Sequence, residues 1–231
     1  MKSIVTTWLT VALAFGVPVA AHAQEKISHG SFKEVSLYRP KGEANSFVLF
    51  LSGEAGWTPA LAGQAQALAD QGAAVAGINT PQVLAQMVRD SGDCLLPDGD
   101  LENLSHFLQG YARLPAYFPP LLVGPGLGGT LGYAMLAQAP ADTFGGAISM
   151  GFCPELALKK PLCRGEGVHF TKRPGGAGLA LLPTPKLSAP WVVLQGSEDK
   201  VCSPASVQKF VAQVAGAQRV LVPGADHAGA L

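Results

Sequence analysis

Beyond its first 19 residues the sequence has no apolar run of the about 20 residues that a membrane-spanning helix needs. The main body of the chain is therefore not predicted to cross a bilayer. An excess of charge is also missing, because 16 Lys and Arg balance 16 Asp and Glu and no basic cluster occurs. Nucleic-acid binding rests on a cationic patch that displaces counterions from phosphate, so DNA and RNA are excluded as partners. Absent too are the C-x-x-C and H-x-x-x-H spacings of zinc sites. No metal and no cofactor are expected.

What is present begins with an export signal. Lys2 precedes an apolar run over 4–19, broken by Pro18 and closed by Ala21-His22-Ala23, which fits a charged n-region, an apolar h-region and an A-x-A cleavage site. The sequence thus predicts a signal peptide over 1–23 and a single mature domain over 24–231 with a substantial core, placed in the periplasm of a Gram-negative-type cell. The four cysteines, Cys94, Cys153, Cys163 and Cys202, form an even set suited to an oxidising compartment. Three pairings are open; the short spacing favours Cys153 with Cys163, leaving Cys94 with Cys202.

Apolar runs bounded by turn residues alternate with helix-period stretches along the mature chain. Strands are predicted at 32–38, 47–51, 73–78, 121–123, 147–150, 191–194 and 220–222, and helices at 59–69, 82–89, 101–111, 129–138 and 204–214. Ser203 followed by Pro204 is an N-cap with proline at the first helical position. Such alternation predicts an α/β fold with a mostly parallel sheet of about seven strands flanked by helices. The exception is 152–188, rich in Gly, Pro and basic residues, which reads equally as a tied surface loop or as a lid that shapes a substrate site.

The chemistry-bearing segment is Val123-Gly124-Pro125-Gly126-Leu127-Gly128-Gly129, between a strand and a helix. In a G-x-S-x-G nucleophile elbow, glycines two before and two after the serine let strand and helix pack tightly. Gly124 and Gly128 hold those places, and Gly126 stands where the serine would be. Asp199 and His227 each follow a later strand. Elbow, acid and histidine then come in the chain order of an α/β-hydrolase triad, in which the acid orients the imidazole that takes the serine's proton. Gly53 and Glu54, in the turn after the second predicted strand, join Leu127 as candidates for the oxyanion-binding backbone.

Taken singly, Asp199 is a turn residue, His227 an incidental side chain near the end of the sequence, and Gly53 a turn glycine. Their joint order makes the set specific. An elbow forces strain of about 1–3 kcal/mol on a residue with a side chain, which glycine relieves, so Gly126 exchanges catalysis for stability. Thr130 and Ser149 are the nearest hydroxyls, but neither is predicted at the strand–helix turn. Gly124, Gly126 and Gly129 also match G-x-G-x-x-G; the acid expected about 20 residues on, at the end of the next strand, is missing, and NAD or FAD is not expected.

The segments Leu51-Ser52-Gly53-Glu54-Ala55-Gly56-Trp57, Gly77-Ile78-Asn79-Thr80, Leu122-Val123-Gly124, Gly151-Phe152-Cys153-Pro154, Pro161-Leu162-Cys163 and Val193-Leu194-Gln195-Gly196, with Asp199, Val201 and Cys202, resemble the VirJ and AcvB virulence proteins. The likeness runs through most of the mature chain. It implies an exported α/β-hydrolase-like protein associated with virulence and, in some members, with type IV secretion, whose esterase-like site acts on aminoacylated membrane phospholipid. The family elbow resembles G-Y-S-x-G-A, so this chain departs at the attacking residue. The sequence therefore predicts a non-catalytic protein that binds a membrane lipid or a secretion-system partner; the alternative is a residual esterase.

Overall fold

In a computed structural model, residues 25–90, 92–163, 167–173 and 175–227 are described, so the predicted signal peptide lies outside the described residues. The chain opens with an antiparallel pair, β1 (Glu25–His29) and β2 (Phe32–Tyr38). It then alternates: β3 (Ser46–Leu51), α1 (Pro59–Asp70), β4 (Ala73–Ile78), α2 (Thr80–Asp90), α3 (Pro97–Ala112), β5 (Leu121–Pro125), α4 (Leu127–Gln138) and β6 (Gly146–Met150). Three short strands follow, β7 (Glu155–Leu156), β8 (Phe170–Lys172) and β9 (Leu179–Leu181), before β10 (Trp191–Gly196), α5 (Pro204–Val211) and β11 (Gln218–Val222) complete the order.

Eight strands form one sheet in the order β1-β2-β4-β3-β5-β6-β10-β11, parallel from β4 through β11 and antiparallel at β1 and β2. Crossover helices cover both faces, so the inner strands have no polar side. Phe47, Leu49 and Leu51 of β3 belong to one core cluster and Val48 and Phe50 to the other, as expected of a parallel sheet buried on both faces. α1 closes one face with Leu61, Ala65 and Ala69. α4 runs beneath the other and is buried from Gly128 through Gln138. A helix apolar all round needs cover on every side, and 152–188 supplies it: Tyr133 donates to the Leu182 carbonyl at 2.9 Å, Ser188 to that of Leu136 at 2.8 Å and Gln138 to that of Cys163 at 2.6 Å.

Local signals explain the boundaries. Thr58 caps α1 by accepting from the Leu61 N–H at 3.3 Å, and Ser203 caps α5 by accepting from that of Ser206 at 3.2 Å, each with proline at the next position. An aromatic knot joins Trp191 to Tyr133, Phe152 and Phe210 at ring separations of 4.6, 4.9 and 6.3 Å. Burial pushes the Tyr133 phenol up to about 12.

The main sheet contains every predicted strand and one more, β1, a mostly polar edge strand with only Ile27 buried, which carries no apolar run. Within the excursion, β7, β9 and β8 form a small antiparallel sheet over α4. One expectation needs correction: the disulfides are Cys94–Cys163 and Cys153–Cys202, not the pairing by sequence proximity. Leu95 and Leu162 form a parallel bridge, with Leu95 N–H to Pro161 O at 2.8 Å and Cys163 N–H to Leu95 O at 2.7 Å, which brings Cys94 to Cys163. Cys153 and Cys202 follow β6 and β10, neighbours in the sheet though far apart in the chain.

Candidate functional site

β5 runs directly into α4 through one residue, Gly126, with φ 48° and ψ −116°. That left-handed backbone is strained for any residue with a side chain. Its N–H donates to the Met150 carbonyl at 2.9 Å, pinning the turn to the end of β6. The flanking glycines exist for contact: a Cβ on Gly124 would lie 2.4 Å, and one on Gly128 2.2 Å, from the Leu51 carbonyl oxygen. The strand-to-helix turn at Gly126 is therefore tightly packed and carries no hydroxyl.

The place of the missing side chain is filled by Glu54. A Cβ on Gly126 would lie 2.6 Å from Glu54 Oε2 and 3.2 Å from Oε1. The sequence singled out Glu54 for its backbone only; the placement of its carboxylate depends on the turn after β3. Ser52 anchors that turn by accepting from the Thr80 N–H at 2.9 Å, and the Gly56 N–H closes it onto the Gly53 carbonyl at 3.1 Å. Trp57 packs against Phe50 at 5.6 Å and over Gly77, where an added Cβ would come within 2.2 Å of its ring.

At the other side, Asp199 and His227 meet. His227 Nδ1 lies 2.8 Å from Asp199 Oδ2, which also accepts from Gln195 Nε2 at 2.6 Å. Asp199 Oδ1 accepts from the N–H groups of Val201 and Cys202, both at 2.9 Å. Burial works to raise the Asp199 pKa, but the hydrogen bonds from His227, Cys202 and Val201 outweigh it and hold the carboxyl below its ordinary value. The histidine loop packs directly on the sheet end, where a Cβ on Gly151 would meet the His227 carbonyl oxygen at 2.1 Å. Gln195 was not foreseen as part of the acid's setting, although it lies in the same Gln195-Gly196-Ser197-Glu198-Asp199 segment.

The two other hydroxyls are committed elsewhere. Thr130 Oγ1 donates to the Cys153 carbonyl at 2.7 Å, while Ser149 Oγ donates to that of Gly129 at 2.6 Å and accepts from Trp191 Nε1 at 2.9 Å. Both residues are buried.

Glu54, Leu127 and His227 line one cavity of about 650 Å³. Its walls are apolar through Leu84, Val88, Leu158 and Val201, Arg89, Lys159 and Arg173 add positive charge against the carboxylates of Glu54 and Glu155, and Cys153 and Cys202 also face it. Arg173 is paired with Glu155 at 2.6 Å. Leu158, Lys159 and Arg173 belong to 152–188, one of whose two readings was a substrate-shaping lid, whereas Leu84, Val88 and Arg89 of α2 were not foreseen, because α2 reaches the site only through the tertiary fold. Among the described residues no helix is long and apolar enough to cross a membrane.

Strand order, elbow backbone and acid–histidine pair define the α/β-hydrolase fold. The chain is similar over most of its length to solved structures of that class: a dienelactone hydrolase from Anabaena variabilis (19% identity, TM-score 0.56, 89% of this chain and 87% of that one), the esterase domain of a Rhodothermus marinus protein (16%, 0.52, 85% and 84%), and an alpha-beta serine hydrolase homologue from Coxiella burnetii (18%, 0.52, 90% and 89%). At such identities the likeness carries the fold and nothing finer. Neither a family model nor a curated protein matches the chain.

Proposed function

We propose that this is an exported accessory protein of the VirJ and AcvB kind, which holds a membrane-derived amphiphile in its cavity and performs no acyl-serine chemistry. The observation that carries this reading is the elbow: its backbone is kept while its side chain is absent, and the Glu54 carboxylate stands in the space. The apolar walls suit an acyl chain, and Arg89 and Lys159 suit an anionic headgroup, Arg173 being held by Glu155. The two disulfides suit an oxidising compartment, which supports the periplasmic export that the N-terminal sequence predicts. Cosedimentation with phosphatidylglycerol vesicles, against phosphatidylcholine vesicles, tests it. Binding to the anionic vesicles that Leu158→Glu abolishes is the expected result; equal absence of binding to both overturns it.

A second function is favoured by the intact Asp199–His227 pair, whose carboxylate has four hydrogen-bond donors. Nothing in ligand holding requires an oriented imidazole. Ester hydrolysis that bypasses an elbow serine would use it, and His227→Ala separates the two by removing any histidine-dependent turnover.

A further inference from the structure

Hydrolysis at this site needs an attacking oxygen, and the described residues near the elbow offer no hydroxyl for it. Ser52, Thr130 and Ser149 are buried and spend their protons on carbonyl groups. The residue that has entered the elbow is Glu54, its Oε2 standing 2.6 Å from where a Gly126 Cβ would be. His227 opens onto the same cavity, and because Nδ1 is engaged by Asp199, Nε2 is the nitrogen that can exchange a proton. We infer that Glu54 and His227 together form a water-activating site for carboxylic esters, doing by direct attack what the absent elbow hydroxyl does in two steps. This rests on the second function above, ester hydrolysis.

The atoms balance without another reagent. Water accepts no covalent partner first: it gives one proton to His227 Nε2 as its oxygen bonds to the ester carbonyl carbon, and its second hydrogen is held by the Glu54 carboxylate. The carbonyl electron pair moves to the oxygen, stabilised by backbone N–H groups at the start of α4, where the helix end carries partial positive charge. The carbon–oxygen bond to the alcohol then breaks, and the leaving oxygen takes the proton from His227. An acid and an alcohol result, and Glu54 ends with the charge it began with. Attack by Glu54 itself would give a mixed anhydride, more reactive than the ester consumed, and would still require water afterwards. Asp199 fixes the ring, as an acid does in a serine triad.

Glu54 is exposed and Gly126 has no side chain, so Glu54→Gln removes the charge without disturbing the core. The test is hydrolysis of p-nitrophenyl acetate and butyrate by the purified protein, with circular dichroism as the fold control. Positioned acid–base groups contribute about 100-fold or more, and both Glu54→Gln and His227→Gln are expected to lose about that much, with no fluorophosphonate labelling and no acyl adduct by intact mass during turnover. If His227→Gln abolishes turnover while Glu54→Gln retains it, ester hydrolysis stands and the role of Glu54 is overturned. Labelling of any serine also overturns it. Absence of turnover that depends on His227 overturns both the hydrolysis and the site.

Discussion

At the scale of single residues, Gly126 and Glu54 occupy one volume and must be considered together. Gly126→Ser puts a side chain into left-handed backbone, at a cost of about 1–3 kcal/mol, and drives its Cβ against the end of a flexible carboxylate. A lowered urea midpoint with slow fluorophosphonate labelling is expected. Gly126→Ser combined with Glu54→Ala should label faster than Gly126→Ser alone, because the volume beside residue 126 is then open; equal labelling rates would show that Glu54 does not occupy the elbow in solution. Asp199 supplies a pH signature. Its folded pKa is depressed, so the unfolded chain takes up this proton first, at about 3.9. The associated stability is complete above that value and is lost as pH falls through it toward the folded pKa. In chemical-denaturation curves taken across this range, Asp199→Asn should flatten the decline.

At the scale of elements, the contact among β3, β5 and α4 is made by absence of side chains. Gly124→Ala pushes a methyl to 2.4 Å from a backbone oxygen that cannot swing away, and a loss of about 1–3 kcal/mol is expected for such overpacking. Trp191→Ala empties the centre of the aromatic knot and should cost about 3–5 kcal/mol, read from the shift in urea midpoint. Those parts of the fold were legible in the sequence because each rests on local chemistry: β3, β4 and β5 are unbroken apolar runs, Ser203-Pro204 starts α5, and the elbow, Asp199 and His227 each follow a strand. β1 was not legible, since its residues are polar and its pairing with β2 is all that makes it a strand. α3 begins a turn before the predicted start at 101, from Leu96 without a side-chain cap and Pro97. The Glu54 carboxylate and the α2 wall of the cavity escaped for a different reason. Their positions are products of the turn after β3 and of the packing of α2, which no spacing records.

At the scale of the molecule, the first part of the excursion is fastened to the α/β core by two disulfides. Cys163 ties it to the segment before α3, and Cys153 ties its start to the loop that carries Asp199. Each bridge closes a long loop, with separations of 69 and 49 residues. Replacing Cys153 and Cys202 together by serine should cost about 2–4 kcal/mol and leave the acid loop freer, seen as faster amide exchange at Val201 and at position 202.

The connectivity has a consequence for biogenesis. Numbered from the N-terminus, the cysteines pair first with third and second with fourth, so the two covalent loops interleave. A chain threaded across a membrane with its N-terminus leading exposes Cys94 and Cys153 before Cys163 arrives, and an oxidant acting on thiols as they emerge would join the wrong two. On that route the native pairs require reshuffling through mixed-disulfide intermediates, and export into a host lacking a thiol–disulfide isomerase should accumulate the Cys94–Cys153 species, identifiable by non-reducing peptide mapping.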